Sequence, residues 1–237
     1  MTWSIVARDI DDVMGVAVAS RFFAVGALCP HARSGVGALA TQALVNPGYG
    51  PHGLALLSRG LAAADAVARL VAGDEGRLHR QVHLIDGNGD VAAYTGSACI
   101  GWCGQLAGEG FSVAGNMLAG AQVLDRTAEA YAASAGAPFA ERLLAAMAAG
   151  DAAGGDKRGK QAAALLIHTT ETYAFLDLRV DDHPEPVAEL ARLYQKSLER
   201  YQPFVLCLPS AARPAGITDR AAIEAEVERF QAARRAR

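Results

Sequence analysis

A chain of 237 residues with 51% hydrophobic and 20% charged residues can bury a sizeable core, and its length fits one large α/β or α+β domain. A net charge of -3 argues against a nucleic-acid binder, which usually carries a basic face. No apolar run approaches the ~20 residues of a membrane helix, and the start lacks the basic region and apolar stretch of a signal peptide, so the expected location is cytoplasmic, with no membrane partner.

The first elements form a hairpin: "SIVAR" and "MGVAVAS" are rich in Val, Ile and Ala, and the turn-prone "DIDD" lies between them. Residues 3–8 and 14–20 are thus expected to be neighbouring strands. "VGALCP" and "GVGALATQALV" follow as apolar, Gly-punctuated runs that read as two buried strands. "PGYGPHG" interrupts the chain, after which "LALLSRGL" and "AADAVARLVAG" place apolar residues at helical spacing and end at Gly73. "RQVHLIDGNGDVAAYTG" reads as a second hairpin around a Gly/Asn/Asp turn. A Gly-rich loop, the short strand "FSVAGNMLAG" and two Ala-rich helices over 121–149 come next. "QAAALLIHTTETYAFLDLRV" gives a strand pair around "TTET", and "PVAELARLYQKSLERY" is helical.

Strands and helices arrive in blocks, which favours antiparallel sheets with helices segregated outside them over a doubly wound parallel sheet. The fold class expected is α+β, a four-layer αββα sandwich of two antiparallel sheets flanked by helices. Residues 1–200 are assigned to it. Residues 201–237 form a C-terminal extension in which "ITDRAAIEAEVERFQAARRAR" is a charged amphipathic helix capped by Thr218 or Asp219. A two-fold homodimer is the expected assembly.

The chemistry-bearing candidates are few. Cys99 and Cys103, four apart in "CIGWC", have no CxxC or His-x3-5-His partner, so no metal site is assigned. His183 beside Asp181 and Asp182 reads as a polar turn. There is no P-loop, dinucleotide fingerprint, GxSxG or HExxH, and no cofactor is expected. Arg21, Gln42, Asn46 and Tyr49 sit at or near apolar strands, where a buried polar side chain must find a structural partner or a ligand.

In order along the chain, "SIVARD", "MGVAVASRF", "GVGALATQA", "NPGYGPHGL", "TGSACI", "GEGFSVAGNML", "GGDKRGKQAAALL" and "LDLRVDDHPEPV" resemble the bacterial family of unknown function DUF1028, to about Ala191. That family is grouped with the N-terminal-nucleophile (Ntn) hydrolases, whose fold is the αββα sandwich. The resemblance implies that Thr2, once Met1 is removed, is the nucleophile. Its free α-amine, with a reference pKa of about 7.7–8.0, would be the base. Proteasome-like members carry an acid where Ala19 aligns and a lysine near Arg33; a guanidinium acts only electrostatically, which speaks against proteasome-type proteolysis. "FSVAGNMLAG" resembles the strand and Gly-containing turn facing the nucleophile. Gly115 would let backbone amides approach an oxyanion, and Asn116 would donate to it. In "GGDKRGKQAAALL", Asp156 would hold an ammonium and Arg158 a substrate carboxylate.

The expected catalytic set is therefore Thr2, Arg33, Gly115, Asn116 and Asp156, with Arg21, Gln42, Asn46 and Arg158 binding substrate. The expected function is an Ntn-type hydrolase cleaving an amide in a small molecule or short peptide. The alternative is a catalytically silent protein that binds a small metabolite in the same cleft.

Overall fold

The computed structural model describes residues 2–236. Among the described residues, ten strands make two antiparallel sheets. β1 (Thr2–Arg8), β2 (Met14–Ser20), β7 (Trp102–Gly108), β8 (Phe111–Leu118), β9 (Ala162–His168) and β10 (Leu176–Val180) form a six-stranded sheet in the order β10-β9-β2-β1-β8-β7. β3 (Pro30–Arg33), β4 (Gly37–Ala43), β5 (Arg80–Asp86) and β6 (Val91–Thr95) form a four-stranded sheet in chain order. Helices α1 (Tyr49–Leu57) and α2 (Ala63–Ala72) cover the smaller sheet, and α3 (Gln122–Ala133) and α4 (Phe139–Ala152) cover the larger. The expected αββα sandwich is present.

Side-chain alternation builds the layers. Along β1 and β2, Val6, Val16 and Val18 turn inward and meet Ala38, Ala40 and Ile85 of the other sheet. The intervening Leu39, Val82 and Leu84 face outward and pack under Leu54, Leu57, Val67 and Leu70 of α1 and α2. On the opposite side α4 lies close against β2 at Gly15, where a Cβ would come within 2.6 Å of the Phe139 ring.

Two assignments change. "VGALCP" is not a strand: residues 25–27 make a short 3-10 turn, and the strand is Pro30–Arg33. The Gly-rich segment before "FSVAGNML" is an edge strand, β7, held by β8 alone.

The chain divides into two compact units, one ending at Leu190 and one beginning at Ala191. The second contains the end of α5 (Pro186–Ser197), α6 (Tyr201–Val205) and α7 (Arg220–Arg235). Asp219 caps α7, its Oδ1 accepting from the Ala222 N–H at 2.7 Å, and Arg200 grips Glu224 with both terminal nitrogens. No helix among the described residues is long and apolar enough to cross a membrane.

Polar side chains occupy the space between the sheets. Ser4, Gln42, Gln81, His83 and Ser112 are all buried and hydrogen-bonded to one another. Ser4 Oγ donates to Gln42 Oε1 at 2.7 Å, so the 2.8 Å contact with His83 Nε2 is a bond that Ser4 accepts. His83 therefore carries its proton on Nε2 and accepts from Ser112 Oγ through Nδ1 at 3.1 Å. Burial drives the His83 pKa down from 6.5 to about 3, against a smaller upward pull from the backbone of Ser112.

The folded state thus binds this proton far less readily than the unfolded chain, and acid favours unfolding. The stability from a neutral His83 is complete above pH 6.5 and declines as pH falls toward about 3. Between pH 6.5 and about 5, where most carboxylates stay ionised, His83 removes about 2 kcal/mol, and His83→Gln removes that slope. Urea unfolding of both proteins at several pH values checks this. His31 and His168 are also lowered by burial, so the difference between the two curves isolates His83.

Candidate functional site

β1 is central in its sheet, so the head of the strand has neighbours on both sides. Thr2 pairs with Ser20 of β2 and with Asn116 of β8, and Asn116 pairs in turn with Cys103 of β7. Cross-strand partners share a face. Ser20, Thr2, Asn116 and Cys103 therefore form one row across four strands, on the face that looks toward the smaller sheet.

Thr2 is only 6% exposed, and its Oγ1 donates to Ser20 Oγ at 3.1 Å. It opens on a cavity of about 50 Å³ walled by Phe22, Val25, Leu28, Val45, Gln42 and others. Beside it, Asn116 lines a second cavity of about 260 Å³ with Ala43, Leu44, Ala98, Cys99, Ile100 and Met117. Ala43 borders both, at φ 68°, and Met117 sits at φ 54°. Left-handed backbone at side-chain-bearing residues costs about 1–2 kcal/mol and persists only where surrounding packing imposes it.

The amides beneath the row come from the other sheet. Gln81 Nε2 donates to the Gly115 and Gly104 carbonyls at 2.9 and 3.1 Å and to Thr95 Oγ1 at 2.9 Å. Its Oε1 accepts from Asn116 Nδ2 at 3.0 Å and Gln42 Nε2 at 2.9 Å. One hydrogen of the Asn116 amide is thereby held, and no other described residue takes its second.

Asp156 approaches from the loop after α4, bridged to Leu118 at the end of β8. Its buried carboxylate accepts from the backbone N–H of Arg21 at 3.0 Å and from that of Arg158 at 2.9 Å. It also pairs with the Arg158 guanidinium at 3.2 Å. Arg21 directs its own guanidinium to the Arg158 carbonyl. Asp156 thus binds the segment that leaves Ser20 and holds two exposed arginines, Arg21 and Arg158, beside it. Met1, whose removal the expected chemistry requires, lies outside the described residues.

A family model, the family of unknown function DUF1028, matches residues 2–190. The chain belongs to the DUF1028 family. It is also similar to the crystal structure of the DUF1028 protein SPO2555 from Silicibacter pomeroyi. The two share 32% identity over 92% of this chain and 96% of that one, with a TM-score of 0.86. A much looser likeness, TM-score 0.39 at 12% identity over 83% and 94% of the two chains, is to Anbu (ancestral beta-subunit) from Yersinia bercovieri. No curated protein matches.

In this DUF1028 chain the expected set does not all converge. Thr2, Asn116, Gln42, Asp156, Arg21 and Arg158 gather at one end. Arg33 does not, and its expected place beside Thr2 is corrected. It pairs with Gly37, which pairs with Asp86, and Gly35 donates to the Asp12 carbonyl in the β1–β2 turn. That turn lies a full strand from Thr2, about 20 Å away at ~3.3 Å per residue. Asn46 is close in sequence to the cavity wall, but its side chain joins another cluster. Its Nδ2 donates to Asp74 Oδ2, which also accepts from Tyr49 and Arg80. Burial pushes the Asp74 pKa up, but these bonds and the Gly76 N–H outweigh it and hold the carboxylate well below its usual range. Gly115 is a strand residue opposite Trp3, not part of a turn. A Cβ there would lie 2.5 Å from Leu118, and its carbonyl anchors Gln81.

Sequence reading missed Ser20, Gln81 and His83. Ser20 carries a positional signal, as the one polar residue of the apolar strand β2, whereas Gln81 and His83 alternate with Val82 and Leu84 on β5.

Replacing Gln81 with Leu strands the Asn116 and Gln42 amides and the Gly115 carbonyl together. Each buried unsatisfied group costs about 1–3 kcal/mol, so the variant is expected to lose at least ~2 kcal/mol in urea unfolding. A loss below ~0.5 kcal/mol would mean that water substitutes for the side chain.

Proposed function

We propose that this protein is an N-terminal-nucleophile amidohydrolase acting on a small molecule or short peptide. After Met1 is removed, Thr2 Oγ1 attacks the amide carbonyl and the Thr2 α-amine takes the hydroxyl proton. The tetrahedral intermediate collapses as that proton passes to the leaving amine. Water then hydrolyses the Thr2 ester, with the same amine as base.

The observation that carries this reading is the placement of Thr2. Its hydroxyl stands at the head of a central strand, bonded to Ser20, opposite Asn116 and open to a cavity. The second hydrogen of the Asn116 amide is the donor assigned to the oxyanion, its first being held by Gln81. Asp156 keeps the Ser20–Arg21 corner in place, and the exposed guanidinium groups of Arg21 and Arg158 beside it suit a substrate carboxylate. Arg33 and Asn46 have no part in it. Gln42 serves as cavity wall and as a link to Gln81.

The test is covalent labelling with a small β-lactone, which acylates a nucleophilic hydroxyl without knowledge of the substrate. Intact mass should show a chain beginning at Thr2 that gains one probe, with the modified peptide containing Thr2. Thr2→Ala should fold and not label. A retained Met1 with no labelling would overturn the hydrolase and favour the silent binding protein.

Two further outcomes follow from the roles assigned. Asn116→Ala should slow acylation about 10²–10³-fold, the usual loss of one oxyanion donor. The acylation rate should rise with pH through about 7.7–8.0 and then level, because the base works only as the free amine. A rate that stays flat through that window would exclude the α-amine as base.

A further inference from the structure

The four cysteines fall into two kinds. Cys29 and Cys207 are buried, and burial pushes both thiols up, that of Cys29 strongly. Cys99 and Cys103 are half-exposed and lie together, Cys103 Sγ standing 3.9 Å from the carbonyl oxygen of Cys99. Among the described residues no third His, Cys, Asp or Glu joins them in a group fit for a metal ion.

The backbone around the pair is tightly set on one side and free on the other. Residues 96–101 form a loop pinned at its start, with the Gly96 N–H on the Arg80 carbonyl and the Ala98 N–H on that of Leu78. Cys99 Sγ rests on the Arg80 carbonyl at 3.4 Å. Past Gly101, at φ 70°, the chain enters β7, and the register with β8 slips between Trp102 and Cys103. β7 is an edge strand with β8 on one side only, so a small shift at Cys103 disturbs one ladder rather than two. Cys103 stands directly across from Asn116, while Cys99 lines the 260 Å³ cavity with it.

We propose that Cys99 and Cys103 are a reversible thiol–disulfide pair that pins the 96–101 loop to the edge strand beside Asn116. With glutathione disulfide as oxidant, one cysteine thiolate attacks a glutathione sulfur, making a mixed disulfide and releasing one glutathione thiolate. The second cysteine thiolate displaces the remaining glutathione. Two protein thiols lose two protons and two electrons, and one glutathione disulfide becomes two glutathiones. To close the bond Cys99 Sγ leaves the Arg80 carbonyl and swings toward β7, drawing the cavity wall at Ala98–Ile100 with it. This device stands independently of the hydrolase reading, since it needs neither Thr2 chemistry nor loss of Met1.

The native full-length protein is incubated with millimolar glutathione disulfide, quenched with acid, unfolded and alkylated. The thiol titre should fall from four to two. The tryptic peptide from Gln81 to Arg126, which holds both cysteines, should lose the mass of two hydrogens and resist alkylation. Dithiothreitol should restore both thiols. Amide hydrogen exchange at 96–101 should slow in the oxidised form and recover on reduction. Cys103→Ser, which cannot close, should stop at a glutathione adduct on Cys99 with exchange unchanged. Stable adducts on the wild-type protein, an intermolecular dimer or an unreacted pair would each overturn the proposal, as would a closed disulfide that leaves loop exchange unaltered.

Discussion

The side-chain amide of Gln81 is the bond on which the two sheets agree. It rises from β5 and reaches the Gly104 and Gly115 carbonyls, on β7 and β8 of the opposite sheet. It also accepts from Gln42 on its own side and from Asn116 on the other. Apolar contact between sheets is tolerant of sliding; a buried amide with two donors and one double acceptor is not. Each partner lost leaves a polar atom dry, so relative sheet position is fixed where those partners meet. They meet just under Thr2.

That constraint explains how a small hydroxyl becomes a candidate site. Gln81 holds Asn116, and Asn116 flanks Thr2. From the other direction Asp156 holds the backbone leaving Ser20, the second neighbour of Thr2. Both flanks are set by groups from elsewhere in the chain, one from the facing sheet and one from the loop before β9. Such support from outside the strand is what a positioned reactive group requires. The neutral His83 extends the same network toward Ser4 and Ser112, away from solvent, so the polar interior is satisfied without placing a charge there.

Much of this was readable beforehand. Apolar, Gly-punctuated strand runs arriving in blocks with runs of helical spacing led to the sandwich, and the resemblance of the short motifs led to Thr2, Asn116 and Asp156 as candidates. Failures came where the cause lies outside the local chain. "GWCGQLAG" is too rich in Gly to read as a strand; it becomes β7 because β8 offers an unpaired edge. "VGALCP" has the apolarity of a strand but turns under β9 instead. Arg33 was misplaced because sequence order does not say which end of a sandwich a strand terminus occupies. Gln81 and His83 sit at alternate positions of β5, a pattern that normally means solvent on that face. Here the face meets a second sheet, and only the packing of two sheets reveals it.

The left-handed residues Ala43 and Met117 account for where the larger cavity opens. Each stands at the end of its strand, in opposite sheets, in a conformation that its own side chain disfavours. Met117 is the unpaired residue where the β8 register with β7 slips between Leu118↔Trp102 and Asn116↔Cys103, and Ala43 closes the β4 ladder opposite Arg80 of β5. Both residues line the 260 Å³ cavity, which therefore opens where the regular ladder of each sheet ends, one at a bulge and one at its last pair.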